Sequence, residues 1–383
     1  MNQSRWLSAL SSLALFLASC SAASVGDSLA EARTARAAST FTVTEITSFD
    51  RPWAMAFLPG TPYALITERG GKLKLWKSGG PVVDVVGLPA IDVGGQGGLG
   101  DVVVAPDFAR SGIIYLSYAE AGTGDTRGAA VARAKLDLDH IAPRLIDLQV
   151  IWRQAPKVTG RGHYSHRFAF SSDGKYLFIA SGDRQKFTPA QDMVQNLGKI
   201  VRLLPDGTPA PGNPFASQGG VAAQIWTLGH RNILGLQFDA QGRLWDLEHG
   251  PAGGDELNLV KPGQNYGWPE VSDGDHYDGK PIPRHATRRD FAAPAISWNP
   301  VIAPGDFIFY SGAMFPEWRG QAIITGLGSG GLVRVAIVGD KAREVERLPL
   351  GNRIREIIQA EDGAIWVLED ADKGRLLRLS AKK

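Results

Sequence analysis

One sequence unit recurs six times along this chain and restricts its fold more than any other feature. In each copy an apolar strand is followed by a short turn containing Gly or Pro, and then by a second apolar strand that ends near a charged or aromatic residue. The paired strands of the copies fall at residues 53–57 and 64–68, 99–104 and 113–118, 167–170 and 177–180, 234–238 and 244–247, 307–310 and 322–325, and 355–358 and 365–368. Each copy is a small sheet that cannot bury both of its faces alone, so the copies must pack against one another.

The repetition predicts an all-β fold, a six-bladed β-propeller, with the blades around a central channel. The 46 glycines and 23 prolines suit many short strands joined by tight turns. A β-sandwich with a second domain is the alternative, but it gives no reason for the copies to resemble one another. In a propeller the connecting loops converge on one face, so residues that are distant in sequence can share a pocket there.

The N-terminal residues predict export and attachment to lipid. Arg5 precedes a short apolar run that ends in LASC at residues 17–20, which looks like a bacterial lipobox. The run is too short and too often broken by serine to span a bilayer. We therefore expect a lipoprotein signal peptide at residues 1–19 and lipid on Cys20, the chain's single cysteine; an ordinary secretory signal is the alternative. Ser21 favours an extracytoplasmic location on the periplasmic face of the outer membrane.

The rest of the chain divides into a tether and one large domain. Residues 20–40 are small and polar without an apolar period, which predicts a flexible tether, and residues 41–383 carry the propeller. The chain has 41 Lys and Arg against 39 Asp and Glu, so there is no basic surplus for binding nucleic acid. Contact with a membrane is expected through the lipid anchor only.

A glycine-rich segment offers hard oxygen ligands. Gly250 and Pro251 lie in a loop whose backbone carbonyls are free to point at an ion, Glu256 adds a carboxylate, and the carbonyl of Tyr266 could add another oxygen. Carbonyls and a carboxylate without cysteine suit Ca²⁺ and not zinc. An ordinary solvated turn is the alternative reading of this segment.

Two groups of arginines suggest that an anion binds in the channel. Arg231 stands beside Asn232 at a loop-to-strand junction, where a guanidinium can orient a carbonyl or a carboxylate. Arg353 and Arg355 alternate along a strand and therefore share one face. Arginines that only satisfy loop carbonyls, or that protect an edge strand, are the alternatives.

Several long phrases resemble one known family. They are GQGGLGDVVVAPDF at 95–108, HYSHRFAF at 163–170, LFIASGDR at 177–184, GHRN at 229–232, EHGPAGGDE at 248–256, NYGWP at 265–269 and RIREI at 353–357. Together they resemble the soluble quinoprotein sugar dehydrogenases, in particular the aldose sugar dehydrogenase subgroup, from about residue 42 to residue 379. Members of this family are six-bladed propellers that use pyrroloquinoline quinone (PQQ) and calcium.

The resemblance implies a role for each matching position. It implies that His163 is the catalytic base, with His166 as its rival, and that Arg231 and Asn232 engage the quinone. Gly250 and Pro251 match ligands of the calcium beside the cofactor, whereas Glu256 and Tyr266 match ligands of a structural calcium. The remaining positions implied to contact the cofactor are Gln96, Ser272, Tyr277, Arg353 and Arg355.

The resemblance also implies the reaction. His163 would take the proton of a sugar C1 hydroxyl while hydride leaves C1 for the quinone, calcium would polarise the quinone and Arg231 would support the developing negative charge. The expected partners are an aldose sugar, oxidised at C1 to the lactone, and an unidentified redox acceptor.

The sequence departs from the family at one cofactor position. Many members carry a lysine after the strand of the fifth copy, whereas residues 323–330 here read IITGLGSG. The backbone N–H groups of this loop are one possible substitute, as an anion-binding nest. His249 is a smaller departure. Two other functions stay open: a propeller that binds a glycan or a partner without turnover, and a calcium-dependent lactonase.

Overall fold

The structure, a computed structural model, describes residues 41–139 and 142–382 as six four-stranded antiparallel sheets that form the blades of a propeller. The all-β, six-bladed prediction is confirmed. The predicted signal peptide, Cys20 and the tether lie outside the described residues.

The strands follow one another regularly along the chain. The first is β1 (Phe41–Phe49), and blade 1 then contains β2 (Pro52–Phe57), β3 (Tyr63–Glu68), β4 (Lys72–Lys77) and β5 (Val83–Val85). Blade 2 contains β6 (Leu99–Val104), β7 (Ile113–Ala121), β8 (Arg127–Asp137) and β9 (Arg144–Arg153). Blade 3 contains β10 (Ser165–Phe170), β11 (Leu177–Ser181), β12 (Lys199–Leu203) and β13 (Ile225–Leu228).

The second half repeats this order. Blade 4 contains β14 (Ile233–Phe238), β15 (Leu244–Glu248), β16 (Asp255–Val260) and β17 (Ile296–Trp298). Blade 5 contains β18 (Pro304–Phe309), β19 (Ala322–Gly326), β20 (Gly331–Val338) and β21 (Lys341–Pro349). Blade 6 contains β22 (Ile354–Gln359), β23 (Ile365–Glu369) and β24 (Gly374–Ala381), and β1 completes it.

Within residues 41–139 and 142–382, helical structure is limited to short segments between strands. They are α1 (Phe108–Ser111) and the 3₁₀ turns Thr188–Gln191, Ala216–Gln218, Ala222–Gln224, His285–Thr287 and Pro316–Trp318. Among the described residues, no helix has the length and apolar character needed to cross a membrane.

The ring is closed by pairing the two ends of the described chain. Strand β1 pairs antiparallel with β24, from Phe41 opposite Ala381 to Phe49 opposite Gly374. The last blade is therefore built from both ends of the domain, and each of the six blade-to-blade junctions contains a buried apolar cluster. These junctions supply most of the apolar burial in a domain without a disulfide.

The first strand of each blade lines the central channel, and each has a β-bulge near its start. The residues left out of the regular pairing are Trp53, Gly100 and Asp101, His166 and Arg167, Leu234, Gly305 and Asp306, and Arg355. A bulge interrupts the alternation of a strand and redirects side chains. Here the bulges direct side chains into the channel, where Asp101, Arg167 and Asp306 meet one another and Trp53, His166 and Arg355 line a separate cavity.

Three of these bulge residues and one neighbour form an ion cluster that we call the channel plug: Asp101, Arg167 and Asp306, together with Glu356, which follows Arg355. The Nη2 atom of Arg167 donates to Glu356 at 2.6 Å, and Nη1 donates to Asp101 at 3.2 Å. Asp306 lies 3.6 Å from the guanidinium. The plug separates a wide apolar opening of about 1160 Å³ on one face from the cavities on the other face, where the implied site residues lie.

Candidate active site

His163 lies in the loop that enters β10, in a backbone conformation that is rare for a side chain of its size. Its φ angle is +47°, and Ser165 and His166 also have positive φ angles, of +65° and +74°. Such left-handed non-glycine residues cluster at functional sites. The backbone here is tightly enclosed, since a Cβ atom at Gly182 would lie 2.0 Å from the His163 carbonyl oxygen.

A buried carboxylate orients the His163 ring. Nδ1 lies 2.7 Å from Oδ1 of Asp183, and the other oxygen of Asp183 accepts the indole N–H of Trp268 at 2.7 Å. The carboxylate holds the proton on Nδ1, so Nε2 keeps its lone pair. Burial, opposed by Asp183 and assisted by the charge of Arg231, lowers the pKa of His163 below 6.5. The ring is therefore a neutral base at neutral pH.

His166, the rival candidate, has no such partner. It is 3% exposed, stacks on Tyr164 with ring centroids 5.3 Å apart, and neither ring nitrogen has a hydrogen bond within the described chain. Burial lowers its pKa to about 3. His166 lines the same cavity as His163, but only His163 has a carboxylate that fixes its tautomer.

The cavity that His163 faces has a volume of about 260 Å³ and is rich in arginine. Arg231 lies across it, where Nη1 donates to the carbonyl of His249 and Nη2 to the hydroxyl of Tyr277, both at 3.1 Å. Its Nε has no partner among the described residues. Asn232 accepts the backbone N–H of Ser165 at 3.2 Å, which ties this loop to the one that carries His163.

Arg353 and Arg355 converge on one carboxylate in the same cavity. Nη2 of Arg353 lies 2.7 Å, and Nη2 of Arg355 lies 3.2 Å, from Oδ2 of Asp370. The Nε of Arg355 is buried without a partner in the described part of the chain. Burial lowers the pKa of Arg355 to about 10, so the group keeps its charge at neutral pH.

The glycine-rich loop after β19 is not an anion nest, so that suggestion is wrong. Leu327 donates its N–H to the carbonyl of Ala303 at 2.7 Å, and Gly328 and Ser329 donate to the carbonyl of Ile302 at 3.0 and 3.1 Å. These donors are used to hold the loop against the start of blade 5. They cannot replace a missing cationic side chain.

The four candidate calcium ligands line one small cavity. Gly250, Pro251, Glu256 and Tyr266 surround a space of about 10 Å³, to which Glu248 adds a second carboxylate. A space of this size fits a single atom or a water molecule. No hydrogen bond between described residues uses the carbonyl oxygens of Gly250 and Pro251, and such an all-oxygen donor set fits Ca²⁺.

Asp255 fixes the loop that presents these carbonyls. Its carboxylate accepts the backbone N–H groups of Gly250, Ile302 and Ala303 at 2.9, 2.9 and 2.7 Å. Glu256 points elsewhere and accepts from Nε2 of His285 at 3.2 Å. The two adjacent acids therefore have separate tasks, as expected for neighbours on a strand.

A second cavity, of about 370 Å³, adjoins the first and shares His163, Arg231 and Tyr277 with it. Its rim includes Gln185 and Phe187, which have φ angles of +58° and +63°. This outer cavity leaves room for a polar ligand beside the His163 ring.

The remaining candidates fall in different places. Gln96 lines the arginine-rich cavity and accepts the backbone N–H of His163 at 2.7 Å. Tyr277 is 78% exposed and covers Arg231. Ser272 lies by the small oxygen-lined cavity, where its hydroxyl accepts the N–H of Gly274 at 3.1 Å, and it does not line the arginine-rich one.

Sequence reasoning missed Asp183, Trp268, Asp370 and Arg69 as site residues. Arg69 follows β3 directly, Asp370 follows β23 directly, and Asp183 stands two positions after the end of β11. All three residues lie just after the second strand of a blade. A comparison of the residues after the second strand of each copy could therefore have found them.

Comparisons with known proteins identify the family of this chain. The family model described as glucose/sorbosone dehydrogenase matches residues 49–378. The aldose sugar dehydrogenase YliI of Escherichia coli is 38% identical over 341 residues, covering 87% of this chain and 91% of the relative. The apo structure of the soluble aldose sugar dehydrogenase of E. coli superposes with a TM-score of 0.84 and 37% identity, over 90% of this chain and 100% of that one.

A structure with bound cofactor is also similar. The PQQ-bound aldose sugar dehydrogenase of Streptomyces coelicolor has a TM-score of 0.74 and 26% identity, over 89% of this chain and 98% of that one. The sequence-based assignment to the sugar dehydrogenases is confirmed. With its family model matched across six blades and His163 set among arginines at the channel mouth, the chain belongs to the glucose/sorbosone dehydrogenase family.

Proposed function

We propose that the protein oxidises aldose sugars at C1 to the lactone with PQQ and calcium, and that His163 is the general base. The observation that carries the proposal is the position of His163. Its ring lies where the arginine-rich cavity meets the outer cavity, and Asp183 fixes its tautomer. A flat anion in the first cavity and a sugar in the second would both contact this side chain.

The residues present fit both implied groups. The cavity contains arginines with unpartnered donors, Arg231 and Arg355, among the described residues, and these suit the carboxylates of PQQ. The carbonyls of Gly250 and Pro251 suit calcium in the small cavity, which shares Arg231 and His249 with the arginine-rich one. When bound, PQQ supplies the electrophilic carbonyl carbon that takes hydride from C1, and calcium polarises that carbonyl.

The protein's own groups then have defined tasks. Nε2 of His163 accepts the proton of the C1 hydroxyl, and Asp183 stabilises the imidazolium that forms. Arg231 donates hydrogen bonds toward the negative charge that develops in the first cavity. Two electrons leave later to a separate redox acceptor, and the lactone hydrolyses without help from the protein.

The decisive experiment reconstitutes the purified protein with PQQ and Ca²⁺ and measures dye reduction with a panel of aldoses. His163→Gln should lower the turnover number about 100- to 10,000-fold without preventing PQQ binding. His166→Gln is the matched comparison, since its imidazole lines the same cavity without an orienting carboxylate. The proposal fails if His163→Gln keeps its rate, or if the wild-type protein binds PQQ but oxidises no aldose.

The pH dependence gives an independent check. Because the pKa of His163 is lowered below 6.5, the base stays neutral as the pH falls through 6.5, and the rate should decline only at lower pH. A rate that already declines above pH 7 would contradict this assignment.

The structure gives no specific support to the lactonase alternative. That reaction would need several carboxylates around one metal at the channel mouth, whereas the arginine-rich cavity is lined by one described carboxylate, Asp370, which pairs with arginines. The two carboxylates of the small cavity, Glu248 and Glu256, are buried and accept hydrogen bonds from the Arg231 backbone and from His285. A propeller that only binds would not need a tautomer-fixed imidazole.

We also propose that the protein is exported and anchored through lipid on Cys20, at the periplasmic face of the outer membrane. The lipobox-like LASC at residues 17–20 supports this. The test is expression of wild type and Cys20→Ala in a Gram-negative host. Wild type should fractionate with the outer membrane and show an acylated N-terminal cysteine by mass spectrometry, and the variant should show neither; an unmodified cysteine in the wild type would refute the anchor.

A further inference from the structure

We infer that Arg69 binds a carboxylate of the cofactor and replaces the lysine that the family resemblance leads one to expect after the fifth strand pair. Arg69 belongs to blade 1 and lines the same cavity as Arg353 and Arg355. The inference rests on the proposed function, because it assumes that PQQ occupies this cavity.

The backbone of Arg69 is fixed, which places its side chain in the cavity. Its N–H donates to the carbonyl of Arg51 at 3.0 Å. Its own carbonyl is packed against Gly98, where a Cβ atom would lie 2.1 Å away, and Gly98 has a φ angle of +114°. The loop that carries Gln96 and the end of β3 are thus held closely together.

The guanidinium of Arg69 has donors to spare. Nη2 donates to the carbonyl of Gly95, and Nη1 lies 4.0 Å from Oδ1 of Asp370, which is too far for a hydrogen bond. The side chain is 25% exposed. An arginine carries five N–H groups, so most of those of Arg69 remain available to a ligand in the cavity.

The net charge of the cavity lining also favours the binding of an anion. Four arginines line it, Arg69, Arg231, Arg353 and Arg355, against the single described carboxylate of Asp370. His163 and His166 add no charge at neutral pH, because burial lowers the pKa of His163 below 6.5 and that of His166 to about 3. The lining therefore carries about three positive charges, which complement a ligand with several carboxylates.

Within the described part of the chain, no other cation lines this cavity. The loop of residues 326–330 contributes no lysine, and the N–H groups of residues 327–329 are already bonded to Ile302 and Ala303. Arg69 reaches the cavity from a different blade. It can supply charge that a lysine would bring from blade 5.

The experiment titrates the calcium-loaded apo protein with PQQ and follows quenching of tryptophan fluorescence, since Trp53 lines the cavity. Arg69→Gln should raise the Kd for PQQ about 10- to 100-fold, because it removes a charge-assisted contact. It should also make the Kd less dependent on salt concentration. Arg69→Lys, which keeps the charge, should recover a large part of the affinity.

The matched control is Arg110→Gln, since Arg110 is 85% exposed in its side chain and pairs with Asp107 away from the cavity. It should leave the Kd unchanged. Thermal unfolding of each apo variant shows whether it is folded. If Arg69→Gln does not fold, the Kd and the salt dependence of Arg69→Lys are compared with those of the wild type instead.

Each outcome decides the inference. Wild-type Kd and salt dependence in Arg69→Gln would overturn it and leave the proposed function standing. A weaker Kd with unchanged salt dependence would also overturn it, because Arg69 would then act only by holding the Gly95 loop. If the wild-type protein itself fails to bind PQQ, the proposed function fails instead.

Discussion

The channel plug and the arginine-rich cavity lie next to each other along one channel, and both contain buried guanidinium groups. In the plug, one guanidinium, that of Arg167, faces three carboxylates, and every one of these side chains is almost fully buried. In the cavity, four guanidiniums face the single described carboxylate of Asp370.

This difference separates structural from functional use of the same residue type. Arg167 also donates its Nε–H to the carbonyl of Leu234 at 2.7 Å. The N–H groups of its guanidinium are therefore used by acceptors of the protein itself. The cavity leaves donors of Arg231 and Arg355 without a partner in the described chain. The cavity therefore has an excess of positive charge that a bound anion can balance, whereas the cation of the plug is already surrounded by carboxyl groups of the protein.

The largest expected effect is on the turnover number, and it comes from a substitution beside the arginine-rich cavity. Asp183→Asn should lower the turnover number about 1000-fold, because the amide no longer holds the proton on Nδ1 of His163. The free energy of unfolding should change much less than the activation barrier. Stopped-flow reduction of the reconstituted enzyme by sugar measures the rate, and Asp173→Asn, on an exposed turn, is the control. A rate within 10-fold of wild type would contradict the assigned role of Asp183.

The next effect is on stability, in the plug. Arg167→Met should lower the free energy of unfolding by about 3–5 kcal/mol, since it leaves three buried carboxylates without their cation. Urea unfolding of the apo protein gives this number, with Arg110→Gln as the exposed control. An unchanged unfolding midpoint would show that the plug is not a structural cluster.

The plug should also make stability depend on pH. Burial, partly opposed by Arg167, raises the pKa of Glu356 to about 7, above its ordinary value of 4.5. An acid whose pKa is higher in the folded state stabilises the fold below pH 4.5 and loses that contribution as the pH rises toward 7. The loss is about 3 kcal/mol, at about 1.4 kcal/mol for each unit of the difference in pKa. Glu356→Gln should flatten this part of the stability curve in urea unfolding; the same slope in both proteins would refute it.

The smallest effect on stability is expected at the exposed edge of the cavity. The side chain of Arg353 is 55% exposed, so Arg353→Gln should cost the apo protein less than about 1 kcal/mol. PQQ should raise the unfolding temperature of this variant less than it raises that of the wild type. A large loss in the apo protein would mean that Arg353 belongs with Arg167 as a structural group.

Much of the fold could be predicted from the sequence because the six copies share one apolar pattern. All six predicted strand pairs coincide with the first two strands of a blade. The completion of blade 6 by β1 was not predicted, because that pairing joins residues more than 300 positions apart and β1 has no recurring phrase. Long-range pairing leaves little trace in local periodicity.

The site was predicted unevenly for a similar reason. Phrases that match the family led to His163, Arg231, Arg353 and Arg355, whose convergence the structure now describes. Asp183 and Trp268 are 85 positions apart and meet only through the ring of blades. The suggested nest in the loop after β19 was wrong because its N–H groups already bond to the neighbouring backbone, which the sequence does not reveal.

By itself, the sequence determined that this chain forms repeated four-residue to six-residue apolar strands with tight turns, and which polar residues stand at their ends. Only the tertiary structure decided which of those polar residues face the channel, because a β-bulge at the start of each inner strand breaks the two-residue alternation. It also decided which charges are neutralised. Net charge is a property of the composition, whereas an unpaired guanidinium exists only where the folded backbone has left it without a carboxylate.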